Sequence, residues 1–208
     1  MPETEVASDD DGTVVQMDIA YSYEALCSEA SLTFPCDKTQ SASIVSRIQF
    51  LTAQTTETMR NSGVNLRFEL IKTWLAEDYD ESRGLTGDDI LTGMQTDNDG
   101  LFETPSLAAN RDLDCADLVG LVIKDAIGGS GPFGIAFIGS PTSTSQNGFF
   151  VSSLGSQAIS GFTFTHEIGH TLVSFIVLPL RFVLPHRANQ MCAVISSNLS
   201  LLNMIQMG

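Results

Sequence analysis

Phe162-Thr163-Phe164-Thr165-His166-Glu167-Ile168-Gly169-His170 is the stretch on which the reading of this chain turns. On an α-helix His166 and His170 stand one turn apart and project from the same face, so two imidazoles can share one Zn²⁺. Glu167 lies beside them, where a carboxylate can act as general base on a zinc-bound water. Phe162, Phe164 and Ile168 around the pair suit a helix buried in a domain. The competing reading is two histidines that cap or pack a core helix. The whole chain has three histidines and two of them are here, which favours a metal.

At 208 residues the chain fits one domain with length enough for a hydrophobic core. Hydrophobic content of 43% with 17% charged residues is that of a folded protein. A net charge of -15 argues against nucleic acid and anionic membrane surfaces as partners. Every Asp and Glu lies at or before Glu167, and beyond it Arg181 and Arg187 are the only Lys or Arg. Cys27, Cys36, Cys115 and Cys192 show no C-x-x-C spacing, which sets aside a thiolate zinc cluster or a thioredoxin-like motif. Cys27 and Cys36 could close a short disulfide in an oxidising compartment. Met1-Pro2-Glu3-Thr4-Glu5 lacks the basic start and apolar run of a signal peptide. The apolar run Leu172–Leu184 is too short to span a bilayer and is interrupted by Pro179 and Arg181, so no membrane span is expected.

In chain order, residues 1–12 read as an acidic, flexible lead-in. Thr13–Ala20 is β-branched and apolar, a buried strand, and Tyr21–Thr39 holds a short helix and a loop. Ile44, Ile48, Leu51, Thr55 and Met59 recur at three- and four-residue steps, predicting a core-packing helix over Ser41–Asn61. Val64–Leu70 alternates as a strand that continues toward Trp74. Thr86–Gln95 predicts a short helix capped by Thr86 or Asp88, and Asp97-Asn98-Asp99-Gly100 a turn. An EF-hand is excluded there, since placing Gly100 at loop position six puts Ser106 where a bidentate Glu is required, which leaves a weaker calcium site as the alternative. Ala116–Ile123 is a continuous apolar strand, followed by the glycine-rich Gly128–Pro132, which lacks the Gly-Lys-Ser/Thr of a phosphate loop. Phe133–Gly139 and Phe149–Ser152 are short strands around the polar Pro141–Gly148, and a helix starting near Ser156 or Ser160 carries the histidines.

Taken together, these segments resemble the reprolysin-like (adamalysin-type) metallopeptidases of the metzincin clan. The matching stretches are TVVQMDIAYSYEA, MRNSGVNLRFEL, Asp78–Ser82, the Asn-Asp-Gly turn, ADLVGLVI, GIAFIG and FTFTHEIGH, in the family's order over residues 13–171. The resemblance implies an α/β metzincin-like catalytic domain over residues 13–172. Its twisted, mostly parallel sheet would have an antiparallel edge strand and flanking helices, with the active-site helix near residues 157–172. It implies a zinc-dependent endopeptidase in which His166 and His170 hold Zn²⁺ and a zinc-activated water attacks the peptide bond with Glu167 as general base. Gly134, Ile135, Ala136 and Phe137 would form the edge strand to which a peptide or protein substrate adds. A secreted or extracellular location also follows from the resemblance.

The family motif continues H-E-x-x-H-x-x-G-x-x-H, and this chain departs from it with Val173 at the glycine and Ile176 at the third ligand. Isoleucine has no ligand atom, and valine disfavours the positive φ that such a turn needs. The remaining histidine, His186, is the candidate substitute. Residues 173–208 are therefore expected to be an atypical apolar tail foreign to the domain, as translated intron sequence would be, with the family's C-terminal subdomain missing. The alternative expectation is an inactive relative that binds peptides through the retained edge strand.

Overall fold

The computed structural model describes residues 13–96, 101–102, 107–138, 148–155 and 162–172, and the backbone of 173–176. The acidic lead-in, the Asp97–Gly100 turn, most of Pro141–Gly148, His186 and the tail beyond 176 lie outside the described residues. Five strands form one sheet in the order β2-β1-β3-β5-β4. They are β1 (Thr13–Tyr21), β2 (Leu66–Leu75), β3 (Leu118–Ile123), β4 (Gly134–Ala136) and β5 (Phe149–Ser153). The first three and β5 pair in parallel, and β4 runs antiparallel along β5 at the edge. The α/β architecture with an antiparallel edge strand, anticipated above, is the one observed.

Alternate residues of the strands feed two cores, as the two-residue period of a strand requires. On one face Val15, Met17, Ile19 and Tyr21 of β1, with Leu118, Val122 and Phe150, pack against α1 (Tyr23–Glu29), α2 (Ala42–Asn61) and the histidine-bearing helix. On the other face Ala20, Val119, Leu121, Ile123, Phe149 and Val151 pack against α3 (Gly87–Gln95) and Leu107 of α4 (Leu107–Asp114). Strand β3 is buried at all six positions because both of its faces are covered. Gly120 lies at its centre, where a Cβ would come within 2.5 Å of Phe150 Cζ and 2.8 Å of Ile19 Cδ1. A side chain there has no room.

The helices begin and end for local reasons. Ser22 caps α1 by accepting from the Ala25 N–H. Thr86 and Asp89 form a reciprocal capping box at the start of α3, so Thr86 rather than Asp88 is the cap. Helix α2 buries Ile44, Ile48, Leu51, Thr55 and Met59, the stripe its sequence period predicted. A Cys27–Cys36 disulfide ties the loop after α1 back to that helix. Helix α4 had no counterpart in the sequence reading.

A buried polar cluster joins α4 to the sheet. Asp18 of β1 is fully enclosed; neither of its oxygens receives a hydrogen bond from a described residue, and in its protonated form it can donate to the Asp114 carboxylate. It lies opposite Lys72 of β2. The Lys72 ammonium donates to Asn110 Oδ1 (2.9 Å) and Asp114 Oδ2 (2.8 Å) of α4, and sits 5.3 Å from the centre of the Trp74 ring. Burial and the neighbouring Asp114 carboxylate push the Asp18 carboxyl up to about 7, against the pull of Lys72.

Candidate active site

The last described helix, α5 (Thr163–Ile176), carries the histidine motif. It was expected to start near Ser156 or Ser160. Phe162 has a left-handed φ of 55°, which a right-handed helix cannot include, so α5 begins at Thr163; residues 156–161 lie outside the described residues. Phe164, Ile168 and Leu172 point into the core at helical spacing, with Phe164 edge-on to Phe150 at 5.3 Å between ring centres. Thr165 shares a 2.9 Å hydroxyl hydrogen bond with Thr55 of α2, both side chains being buried. These contacts fix the rotation of α5 about its axis and turn His166 away from the core, where it is exposed.

His166 Nε2 and His170 Nε2 converge to 3.0 Å, with the rings perpendicular at 4.6 Å between centres. Two nitrogens each about 2.0–2.1 Å from a tetrahedral zinc would stand about 3.3 Å apart, so the pair fits two positions of such a site. Glu167, the residue after His166, turns inward and is only 5% exposed. Burial pushes its carboxyl from 4.5 up to about 7. No hydrogen-bond partner to this carboxylate occurs among the described residues.

Above Glu167 runs β4, bonded on one side to β5 in the register Gly134↔Ser152, Ile135↔Val151 and Ala136↔Phe150. The strand is shorter than the expected Phe133–Gly139, and the Phe137 N–H donates to Phe149 O at 3.3 Å just beyond its end. Ile135 and Phe137 pack into the second core, while Ala136 faces the first and Gly134 faces Glu167. Of the four expected edge-strand residues, Gly134 and Ala136 thus face the side of the sheet that carries α5, and Ile135 and Phe137 face the other side. No group of three or more His, Cys, Asp or Glu suited to one metal occurs among the described residues. Helix α5 runs on through Val173 to Ile176 without the turn that a glycine would provide.

A family model, Metallo-peptidase family M12B Reprolysin-like, matches residues 45–174. The chain belongs to this family. M12B metallopeptidases are zinc-dependent in general. No curated protein matches the sequence. Among solved structures, one described as the structure of a chaperone-substrate complex matches with a TM-score of 0.58 at 16% identity, over 78% of this chain and 24% of that chain. That likeness is one of fold, and the reprolysin-like chain spans about a quarter of that chain's length. No helix among the described residues is long and apolar enough to cross a membrane.

Proposed function

We propose that the chain is a zinc-dependent metalloendopeptidase domain of reprolysin type, with His166 and His170 as metal ligands and Glu167 as general base. The observation that carries this reading is the meeting of two imidazole nitrogens at 3.0 Å with a buried carboxylate beneath the last strand of the described sheet. Zinc, when bound, supplies Lewis acidity that polarises a peptide carbonyl and lowers the pKa of water. The chain supplies the rest. Burial holds the Glu167 carboxyl at about 7, where a base takes and returns a proton near neutral pH most efficiently. The side of β4 that no other described strand pairs with offers backbone groups to an extended peptide, which would add as a further strand over Glu167. Peptide or protein substrates and an extracellular setting follow from the family, and the Cys27–Cys36 disulfide supports an oxidising compartment. His186 remains the candidate third ligand.

A second reading has its own support. Val173 and Ile176 replace the glycine and third histidine of the family motif, and α5 continues straight through them. In that reading the chain binds peptides along β4 and does not cleave them. One experiment separates the two. The purified full-length chain is titrated with Zn²⁺, followed by calorimetry and thermal melting, and then incubated with a peptide library read by mass spectrometry. Zinc at a hundredfold over its Kd should stabilise the wild type by about 2.7 kcal/mol, and His166→Ala and His170→Ala should lose that gain. Glu167→Ala should keep zinc and lose hydrolysis. Zinc binding without cleavage, accompanied by peptide binding, favours the second reading. No zinc binding at all refutes the first.

A further inference from the structure

We propose that Gly134 is a positioning residue for Glu167: its missing side chain sets the spacing between the peptide-presenting edge strand and the carboxylate beneath it. The inference rests on the peptidase reading for its functional half, and on geometry alone for its contact. A Cβ built at Gly134 would lie 2.5 Å from Glu167 Oε1, 2.6 Å from Glu167 Cγ and 2.7 Å from Thr163 Cγ2. Real Cβ atoms do not approach other atoms so closely, and all three contacts are to α5. Two of them are to the side chain of the proposed base.

Conformational freedom does not explain this glycine. Gly134 sits in β4 with no left-handed φ, so any L-residue could adopt its backbone conformation. Its use here is space. With hydrogen in place of a methyl group, the backbone of β4 rests on the Glu167 side chain and helps exclude solvent from it. A methyl at 134 must push the carboxylate aside or lift β4 off α5. Either movement changes the distance from the base to a peptide paired with that strand. The role is indirect: Gly134 acts through Glu167.

The test is a double-mutant cycle on the full-length chain, made of Gly134→Ala, Glu167→Ala and the pair together. Gly134→Ala in the wild-type background should lower Tm by about 5 °C through overpacking. In the Glu167→Ala background, where Cγ and Oε1 are gone, the same change should cost less than half as much. Equal losses in both backgrounds overturn the contact. If Gly134→Ala does not fold, its pairing with Glu167→Ala or Thr163→Ser should restore folding, and failure of both pairs overturns the proposal. The functional half is read as a split: Gly134→Ala should lower kcat at least tenfold with KM and zinc affinity unchanged, and an unchanged kcat overturns it. A wild-type chain that cleaves no peptide refutes the peptidase reading, and with it the effect on kcat, while the melting cycle still decides the Gly134–Glu167 contact.

Discussion

Replacing Asp18 by Asn should flatten the dependence of stability on pH. Asp18 is fully enclosed, with Lys72 of β2 and Asp114 of α4 as its charged neighbours. Its carboxyl rises from 3.8 to about 7, chiefly through burial. The folded chain therefore holds a proton that the unfolded chain has released over that interval. Stability then falls as pH climbs from about 4 to about 7 and levels off above it, the reverse of a salt-bridged carboxylate. At about 1.4 kcal/mol per pH unit, Asp18 alone would remove at most about 2.5 kcal/mol between pH 5 and pH 8. Lys72 and Asp114 are 40% and 28% exposed, so solvent screens the cluster and the expected loss is nearer 1–2 kcal/mol. Urea unfolding at pH 5, 6, 7 and 8, followed by fluorescence of the single tryptophan, Trp74, measures it. The difference between wild type and Asp18→Asn cancels every other titrating group that the substitution leaves alone. Parallel curves for the two proteins, or a wild type that gains stability over the variant as pH rises, would refute the reasoning. In the latter case Lys72 would be holding Asp18 as an ion pair.

Gly120→Ala should cost about 1–3 kcal/mol, because its methyl meets the Phe150 ring and Ile19 in a closed core, and thermal melting reads the loss directly. A neutral result would mean that Phe150 can move without disturbing Phe164 and α5. Thr55→Val should cost a similar amount by stranding the buried Thr165 hydroxyl, and adding Thr165→Val should recover part of that loss. Strict additivity of the two would show that the hydroxyl pair contributes nothing.

The strands and the long helix were legible because their signals are local. A run such as Leu118–Ile123 can only be buried on both faces, and the stripe from Ile44 to Met59 can only be one side of a helix. Helix α4 was not legible, for a physical reason. Its inward positions are Leu107 and Asn110, and Asn110 is buried because Lys72 reaches it from β2. A polar residue satisfied from a distant strand leaves no hydrophobic period to read. The start of α5 was missed similarly, since Phe162 carries a left-handed φ with neither Gly nor Asn to announce it. At the site, the histidine pair declared itself through four-residue spacing. The inward turn of Glu167 and its contact with Gly134 depend on β4 lying across α5, which spacing within the motif cannot express.

The hydroxyl pair between Thr55 and Thr165 joins residues 110 apart in the chain. Its consequence concerns the order of assembly. Strands β1 and β2 and helix α2 come from one contiguous N-terminal stretch, so they can meet early at modest loop-closure cost. Helix α5 can dock only on a surface that already includes α2, β4 and β5. On a growing chain it is also made after all of them. The histidine pair can form in an isolated helix turn, but the dry pocket of Glu167 exists only after α5 has docked on the sheet, so the two halves of the candidate site come together at different stages of assembly.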